Sequence, residues 1–243
     1  MGYLMIDEYF GNLLLTAIVL AGFFVDWLAV GLNWQKLKPI TKPLPMILLI
    51  LWTILLAPNH GDWSLVLLMA AQIFGLIGDI FLLFPEKGFL FGLAAFLVGH
   101  FFYIGILLVT LIHQFQDGVE IVRVPIKVLL YLLTSGIILA FFYWVFKPLR
   151  DPDKVRPAMW AAIQVYGWVL AELVALTVFF TLLSQTQTLY QYSLPIGAFL
   201  FFISDSLLAY NKFIHPFYDA HLWIHMTYHL AQFSLAVGFL SMI

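Results

Sequence analysis

Four carboxylates interrupt stretches of the chain that are otherwise apolar: Asp26, Asp79, Glu172 and Asp205. A charged side chain at the centre of a bilayer costs about 3 kcal/mol on insertion scales. Each acid must therefore face a bundle interior or a wet cavity, or hold a proton. Taken singly, Asp26 and Glu172 read as helix–helix hydrogen-bonding groups that serve packing. Asp79 and Asp205 read as a functional pair, because they match. Asp79 stands in "IFGLIGDIFLLF" (73–84) and Asp205 in "FISDSLLAYNKF" (202–213), each within the pattern [G/S]-D-x-x-L-[L/F/A]. At 1.5 Å per residue they lie roughly 7–8 Å and roughly 12 Å from the same end of their helices. Intramembrane acids at one depth are the groups from which proton-transfer sites and relays are built.

Histidine and tyrosine supply further candidates. His100 and Tyr103, in "VGHFFYIG" (98–105), are one helical turn apart and share a face. In "HLWIHMTYHLAQF" (221–233), His221, His225, Tyr228, His229 and Gln232 fall on one face of one helix. Two His at i and i+4 can bind zinc, but HExxH is absent and further ligands would have to come from Asp79, Asp205 or His100. The alternative is a polar stripe lining a cavity. There is no G-x-S-x-G elbow, no P-loop and no G-x-G-x-x-G.

The elements that must position these groups are membrane helices. The chain has 243 residues, of which 63% are hydrophobic and 10% charged, against about a quarter charged in a soluble domain. This predicts an all-α, polytopic membrane protein forming a single transmembrane domain over 1–243. The net charge of −2 argues against nucleic acid as a partner. Cysteine is absent, which removes disulfides, thiol chemistry and cysteine-ligated metal. The N-terminus carries Asp7 and Glu8 and no Lys or Arg, a poor secretory signal.

A spanning helix needs about 20 mainly apolar residues. Eight runs qualify, near 10–32, 43–57, 64–84, 88–112, 124–146, 157–184, 193–213 and 218–242. The second is short and opens with two prolines. Eight crossings put Lys36, Lys38, Lys42, Lys87, Lys147, Arg150, Lys154, Arg156 and Lys212 on one side, and Arg123 and Lys127 on the other. By the positive-inside rule both termini are non-cytoplasmic. Four helices separate Asp79 from Asp205, so a duplicated four-helix unit, a 4+4 parallel repeat, would put both at similar depth. Gly88 and Gly92 form a G-x-x-x-G pair that reads as close helix packing.

Taken together, these residues resemble the YhhN/transmembrane-protein-86 family, the lysoplasmalogenases. The resemblance runs from the second span to the last. It rests on Lys42-Pro43, "GDIFLL" with Asp79, "GHFFY" with His100 and Tyr103, and Tyr166 in the sixth span. It ends with "GAFLFFISDSLLA", carrying Ser204 and Asp205, and "YHLAQ", carrying Tyr228 and Gln232. Asp26, His221 and His225 lie outside that pattern.

The resemblance implies hydrolysis of the vinyl ether bond of lysoplasmalogens, giving a fatty aldehyde and a glycerophospho-base, with no cofactor and no metal. Substrate would arrive from the bilayer plane and water would be the second reactant. Vinyl ethers hydrolyse by protonation at carbon, followed by capture of an oxocarbenium ion by water. Such chemistry wants one carboxylic acid and one carboxylate, as glycosidases use for a related cation. Two neighbouring Asp can divide those roles, since like charges oppose each other's ionisation. Asp79 and Asp205 are then the catalytic pair: one donates the proton, and the other stabilises the cation and activates water. His100 and Tyr103 would orient one of them or position the water. Lys42 would hold the substrate phosphate, or else serve as a positive-inside anchor. Tyr166, Ser204, Tyr228 and Gln232 would line the pocket.

Three other readings stay open. One is a zinc-dependent intramembrane lipid hydrolase using His225, His229 and His100 with an Asp. Another is a proton-coupled carrier, against which the uninterrupted runs around the acids count. The third is a lipid-binding scaffold. The membrane would be the inner membrane of a bacterium, or equally an endomembrane of a eukaryote.

Overall fold

Proline and capping residues decide where the apolar runs become helices. The computed structural model describes residues 2–57, 62–84, 87–116, 124–151, 153, 155–183 and 190–242, with side chains from residue 12 onward except at 114–116 and 124. Arg123 and Lys154, both counted in the charge asymmetry, lie outside the described residues. The helices are α1 (Gly2–Gly31), α2 (Lys38–Thr41), α3 (Leu44–Leu56), α4 (Trp63–Phe81), α5 (Phe89–Gln116), α6 (Val124–Phe146), α7 (Pro157–Leu183), α8 (Ser193–Phe213) and α9 (Ala220–Leu240). No strand occurs among the described residues.

The second expected span forms as α3 and is preceded by a separate turn, α2. Pro39 occupies the first turn of α2, and Pro43 with Pro45 opens α3. Proline is tolerated there because the first-turn N–H has no partner to lose. Lys42 is left at the junction of the two pieces, bonded through its backbone N–H to the Lys38 carbonyl. Asp62 caps α4, its Oδ1 accepting from the Ser64 backbone N–H at 2.6 Å. Asp219 leads into α9 in the left-handed conformation that a short polar side chain tolerates.

Seven helical stretches among the described residues are long and apolar enough to cross a membrane. They start from Asn12, Lys38, Trp63, Phe89, Pro125, Pro157 and Ser193. The eighth expected span forms as α9, which is of spanning length, but His221, His225, His229 and Gln232 dilute its apolar run. The protein is an all-α, multi-pass integral membrane protein.

The most extensive helix pairs are α8–α9 and α4–α5. These are the pairs that the expected 4+4 repeat would place in correspondence. The α1–α3 contact is matched by α6–α7, and α3–α4 by α7–α8. The α4–α5 seam depends on small residues. A Cβ on Gly78 would lie 2.5 Å from the Phe96 ring, and one on Gly75 would lie 2.9 Å from the Tyr228 hydroxyl and the Gln232 amide. The two glycines of "GLIGD" thus let α5 and α9 close on α4 beside Asp79. Between membrane helices such close approach replaces the hydrophobic drive that lipid removes. Helix α6 packs on α7 and turns Leu129, Leu132, Leu133 and Ile137 outward.

Candidate active site

One cavity of about 170 Å³ opens at the end of the bundle where α4 and α8 finish and α3 and α9 begin. Asp79 and Asp205 both line it, although 4% and 5% exposed. Each lies on an uninterrupted helix, Asp79 two residues before the end of α4 and Asp205 eight before the end of α8. Asp79 lies within electrostatic reach of both Asp205 and Lys42, and Lys42 is also buried and lines the same space. Lys38 and Lys212 complete a basic rim, with Asn211 and His221 beside them. The ammonium of Lys212 stands 5.2 Å from the centroid of the Phe89 ring, a cation–π distance that holds it at the opening. Leu82, Phe89, Phe96 and Leu208 form an apolar wall. The cavity is therefore graded: Lys38 and Lys212 at the mouth, Lys42 with the carboxylates inside and hydrocarbon along one side.

The two carboxylates have different supports. Asp205 Oδ2 accepts a hydrogen bond from the Tyr166 hydroxyl on α7. His100 Nε2 on α5 lies 3.9 Å from that oxygen, and its ring stacks edge-on against Phe201 at 4.4 Å. Asp79 faces the Tyr228 hydroxyl on α9, which is near enough to interact with it but is not in hydrogen-bonding geometry. Tyr228 also meets Gln232, whose Oε1 accepts from the Tyr103 hydroxyl at 2.5 Å. Tyr103 in turn stacks on Phe239 at 5.5 Å.

Of the expected site residues, Asp79, Asp205, Lys42, Ser204 and Tyr228 line the cavity. Ser204 spends its hydroxyl proton on the Ile224 carbonyl at 3.1 Å, tying α8 to α9. Tyr166 and Gln232, expected in the lining, stand behind the cavity together with His100 and Tyr103, where Tyr166 and His100 brace Asp205 and Gln232 and Tyr103 brace Tyr228. Helical phase put them on the inward face, but the inward face has two layers of side chains here. Lys38, Asn211 and Lys212 were missed as site residues. Lys212 belongs to the same stretch as Asp205, two turns on, and that spacing was the available signal.

The remaining acids are interhelical. Glu172 Oε1 accepts from the Ser135 hydroxyl at 2.8 Å, and Oε2 from the Tyr131 hydroxyl, joining α7 to α6. Asp26 Oδ2 lies 2.6 Å from His225 Nδ1, joining α1 to α9. The histidine stripe thus finds its acid on α1 and not among Asp79, Asp205 and His100. Asp26, His225 and His229 place one ligand atom each within 4.8 Å of one another, the metal-compatible cluster among the described residues. His229 Nδ1, however, accepts from the Trp27 indole N–H at 3.0 Å. Its ring proton must then sit on Nε2, the nitrogen that faces Asp26, which leaves that nitrogen no lone pair for a metal.

A sequence model of the YhhN family matches residues 37–239. The chain is 27% identical over 217 residues to lysoplasmalogenase TMEM86B of Mus musculus, covering 89% of this chain and 80% of the mouse protein. It is 28% identical to lysoplasmalogenase TMEM86B of Homo sapiens over 217 residues, with the same coverage of 89% and 80%. The Rattus norvegicus protein of that name is 27% identical over 206 residues, covering 85% of this chain and 73% of the relative. No solved structure matches.

Proposed function

The chain belongs to the YhhN family, and from that premise we propose that it hydrolyses the vinyl ether bond of lysoplasmalogens by paired-carboxylate acid–base catalysis. The observation that carries the reading is the graded cavity: Asp79, Asp205 and the buried Lys42 share its interior, and the more exposed Lys38 and Lys212 stand at its mouth. Relatives that bear the name lysoplasmalogenase supply the substrate class.

A lysoplasmalogen has one aliphatic chain, a vinyl ether at the glycerol junction and a phosphate head. The lysines suit the phosphate as point charges. The wall of Leu82, Phe89, Phe96 and Leu208 suits the alkenyl chain. The ether carbon then falls between the two, at the depth of the carboxylates. One Asp gives its proton to the vinyl carbon. The other remains ionised, stabilises the oxocarbenium ion that results and orients the attacking water. Tyr166 holds Asp205 in place, and His100 backs it. By the positive-inside rule the cavity opens toward the cytoplasmic leaflet.

The zinc alternative would need His100 beside His225 and His229, but His100 backs Asp205 instead. The carrier alternative would place the acids at helix breaks, whereas α4 and α8 run unbroken through them.

The test is aldehyde release from a purified lysoplasmalogen, followed by mass spectrometry, with wild type, Asp79→Asn and Asp205→Asn side by side. Wild type should form one fatty aldehyde and one glycerophospho-base per substrate, and neither variant should. Turnover retained in both variants would rule out the carboxylate mechanism.

A further inference from the structure

Asp26 and His225 form a buried polar pair that this chemistry leaves unused. Asp26 is wholly buried on α1, ahead of the residues matched by the family, so family membership does not account for it. A carboxylate only accepts, so at 2.6 Å the hydrogen of the contact belongs to His225 Nδ1. Neutral imidazole then keeps its lone pair on Nε2. His225 lines the cavity that holds Asp79 and Asp205, and with Nδ1 engaged, Nε2 is the ring nitrogen left for the cavity's contents.

The same ring also lines a second, smaller cavity of about 70 Å³. That space is walled by Asn33, Gln35, Lys38 and Thr41 from the α1–α2 turn and α2, with His221 and His225 from α9. Ala29, Val30 and Trp34 complete the wall, so the lining is mixed, and the chamber's size suits a few water molecules. His225 is thus part of the wall shared by this chamber and the carboxylate cavity.

The proposed hydrolysis has a gap that such a group fills. The ionised Asp must keep its charge while it faces the cation. If it also took the proton of the attacking water, it would lose that charge at the moment of need. A separate acceptor removes the conflict.

We propose that Asp26 and His225 act as a carboxylate–imidazole pair in which His225 Nε2 receives the proton of the attacking water, with Asp26 as the positioning residue; this rests on the vinyl ether reading above. The steps balance. The acidic Asp protonates the vinyl carbon. Water oxygen bonds to the adjacent carbon, and one of its O–H bonds breaks toward Nε2. The imidazolium passes that proton to the glyceryl oxygen as the C–O bond breaks. The hemiacetal hydroxyl returns its proton to the first Asp as the aldehyde forms. Nothing is oxidised or reduced, and no further reactant is required.

The experiment uses the full chain in lipid nanodiscs, with aldehyde release from lysoplasmalogen as the readout. Losing a general base should lower kcat of His225→Ala by roughly 10²-fold or more. KM should stay within about twofold, since the ring holds water and not substrate. Free imidazole in the buffer should restore part of the rate. Asp26→Asn should lower kcat by a smaller factor, about tenfold, and the double variant should be no slower than His225→Ala, because Asp26 acts through the ring. Thermal unfolding is measured on every variant. If His225→Ala fails to fold, the near-isosteric Asp26→Asn and His225→Gln carry the same kinetic test. Wild-type kcat in the His225 variants, with Asp79→Asn and Asp205→Asn inactive, overturns this proposal and leaves the paired-carboxylate reading standing. Loss of rate without imidazole rescue, multiplying with Asp26→Asn in the double variant, assigns the pair to packing and also overturns it. Absence of aldehyde from wild type overturns both readings.

Discussion

Asp79 and Asp205 begin from the same short motif on corresponding helices, yet their surroundings differ. Asp205 is clamped: the Tyr166 hydroxyl donates to its Oδ2, and His100 stands 3.9 Å behind. Asp79 is looser. Its Oδ2 has no hydrogen-bond partner, and the nearby Tyr228 hydroxyl does not close a bond to it. Asp79 instead shares the field of Lys42. A clamped group holds its place whatever enters the cavity. A loose one can turn to meet what enters. Two copies of a motif can therefore diverge in role without a change at the motif, because helices contributed by the rest of the bundle set each one's freedom.

This contrast can be attacked in order of expected effect. Asp79→Asn and Asp205→Asn should each lower kcat for aldehyde release by roughly 10³-fold, with unfolding temperatures near wild type. A loss confined to one of the two would reduce the pair to a single acid. Tyr166→Phe removes the one closed hydroxyl contact to a cavity carboxylate among the described residues. A hydrogen bond to a charged group contributes about 1.5–3 kcal/mol, so kcat should fall roughly tenfold to a hundredfold. Tyr228→Phe, with no such bond to lose, should cost less in the same assay. The reverse ranking would contradict the clamped-versus-loose distinction.

Lys42→Met tests the cation inside the cavity. It should raise KM roughly tenfold through the lost phosphate contact, with a smaller change in kcat. Titrating initial rates against lysoplasmalogen concentration separates the two effects. A fall in kcat alone would move Lys42 from substrate binding to the support of Asp79. The smallest effect is expected at Glu172, which joins α6 to α7 away from the cavity. Glu172→Gln should leave aldehyde release unchanged and cost about 0.6 kcal/mol of stability, the mean for interhelical hydrogen bonds in bilayers. Calorimetry or chemical denaturation in detergent reads that directly.

Some differences between the expected and observed helices have local causes. Helix α5 runs on to Gln116, past the end of the apolar run, because no Pro or Gly stops it. The span near 43–57 forms as α3, and the prolines at its start leave α2 as a separate turn ahead of it; that junction sets Lys42 at the cavity. The prolines were plain in the chain; their consequence for Lys42 was not.

Composition and periodicity alone settled the membrane environment and the order of the helices, and singled out the two acids that share the cavity. These follow from energies that each segment meets by itself: the cost of taking charge into hydrocarbon, and the need to satisfy backbone groups within the helix. Which side chains meet was decided elsewhere. His225 finds Asp26, 199 residues away, whereas a metal site on the histidine stripe would have drawn on Asp79, Asp205 or His100. Tyr166 and His100 close on Asp205, and Tyr103 closes on Gln232 instead of on the cavity. Helical phase gives the direction in which a side chain leaves its own axis. It does not give the neighbouring axis, its rotation or its distance. Those are fixed only when Gly75, Gly78 and their counterparts let the helices pack, and the packed bundle alone separates residues that line the cavity from those that brace it.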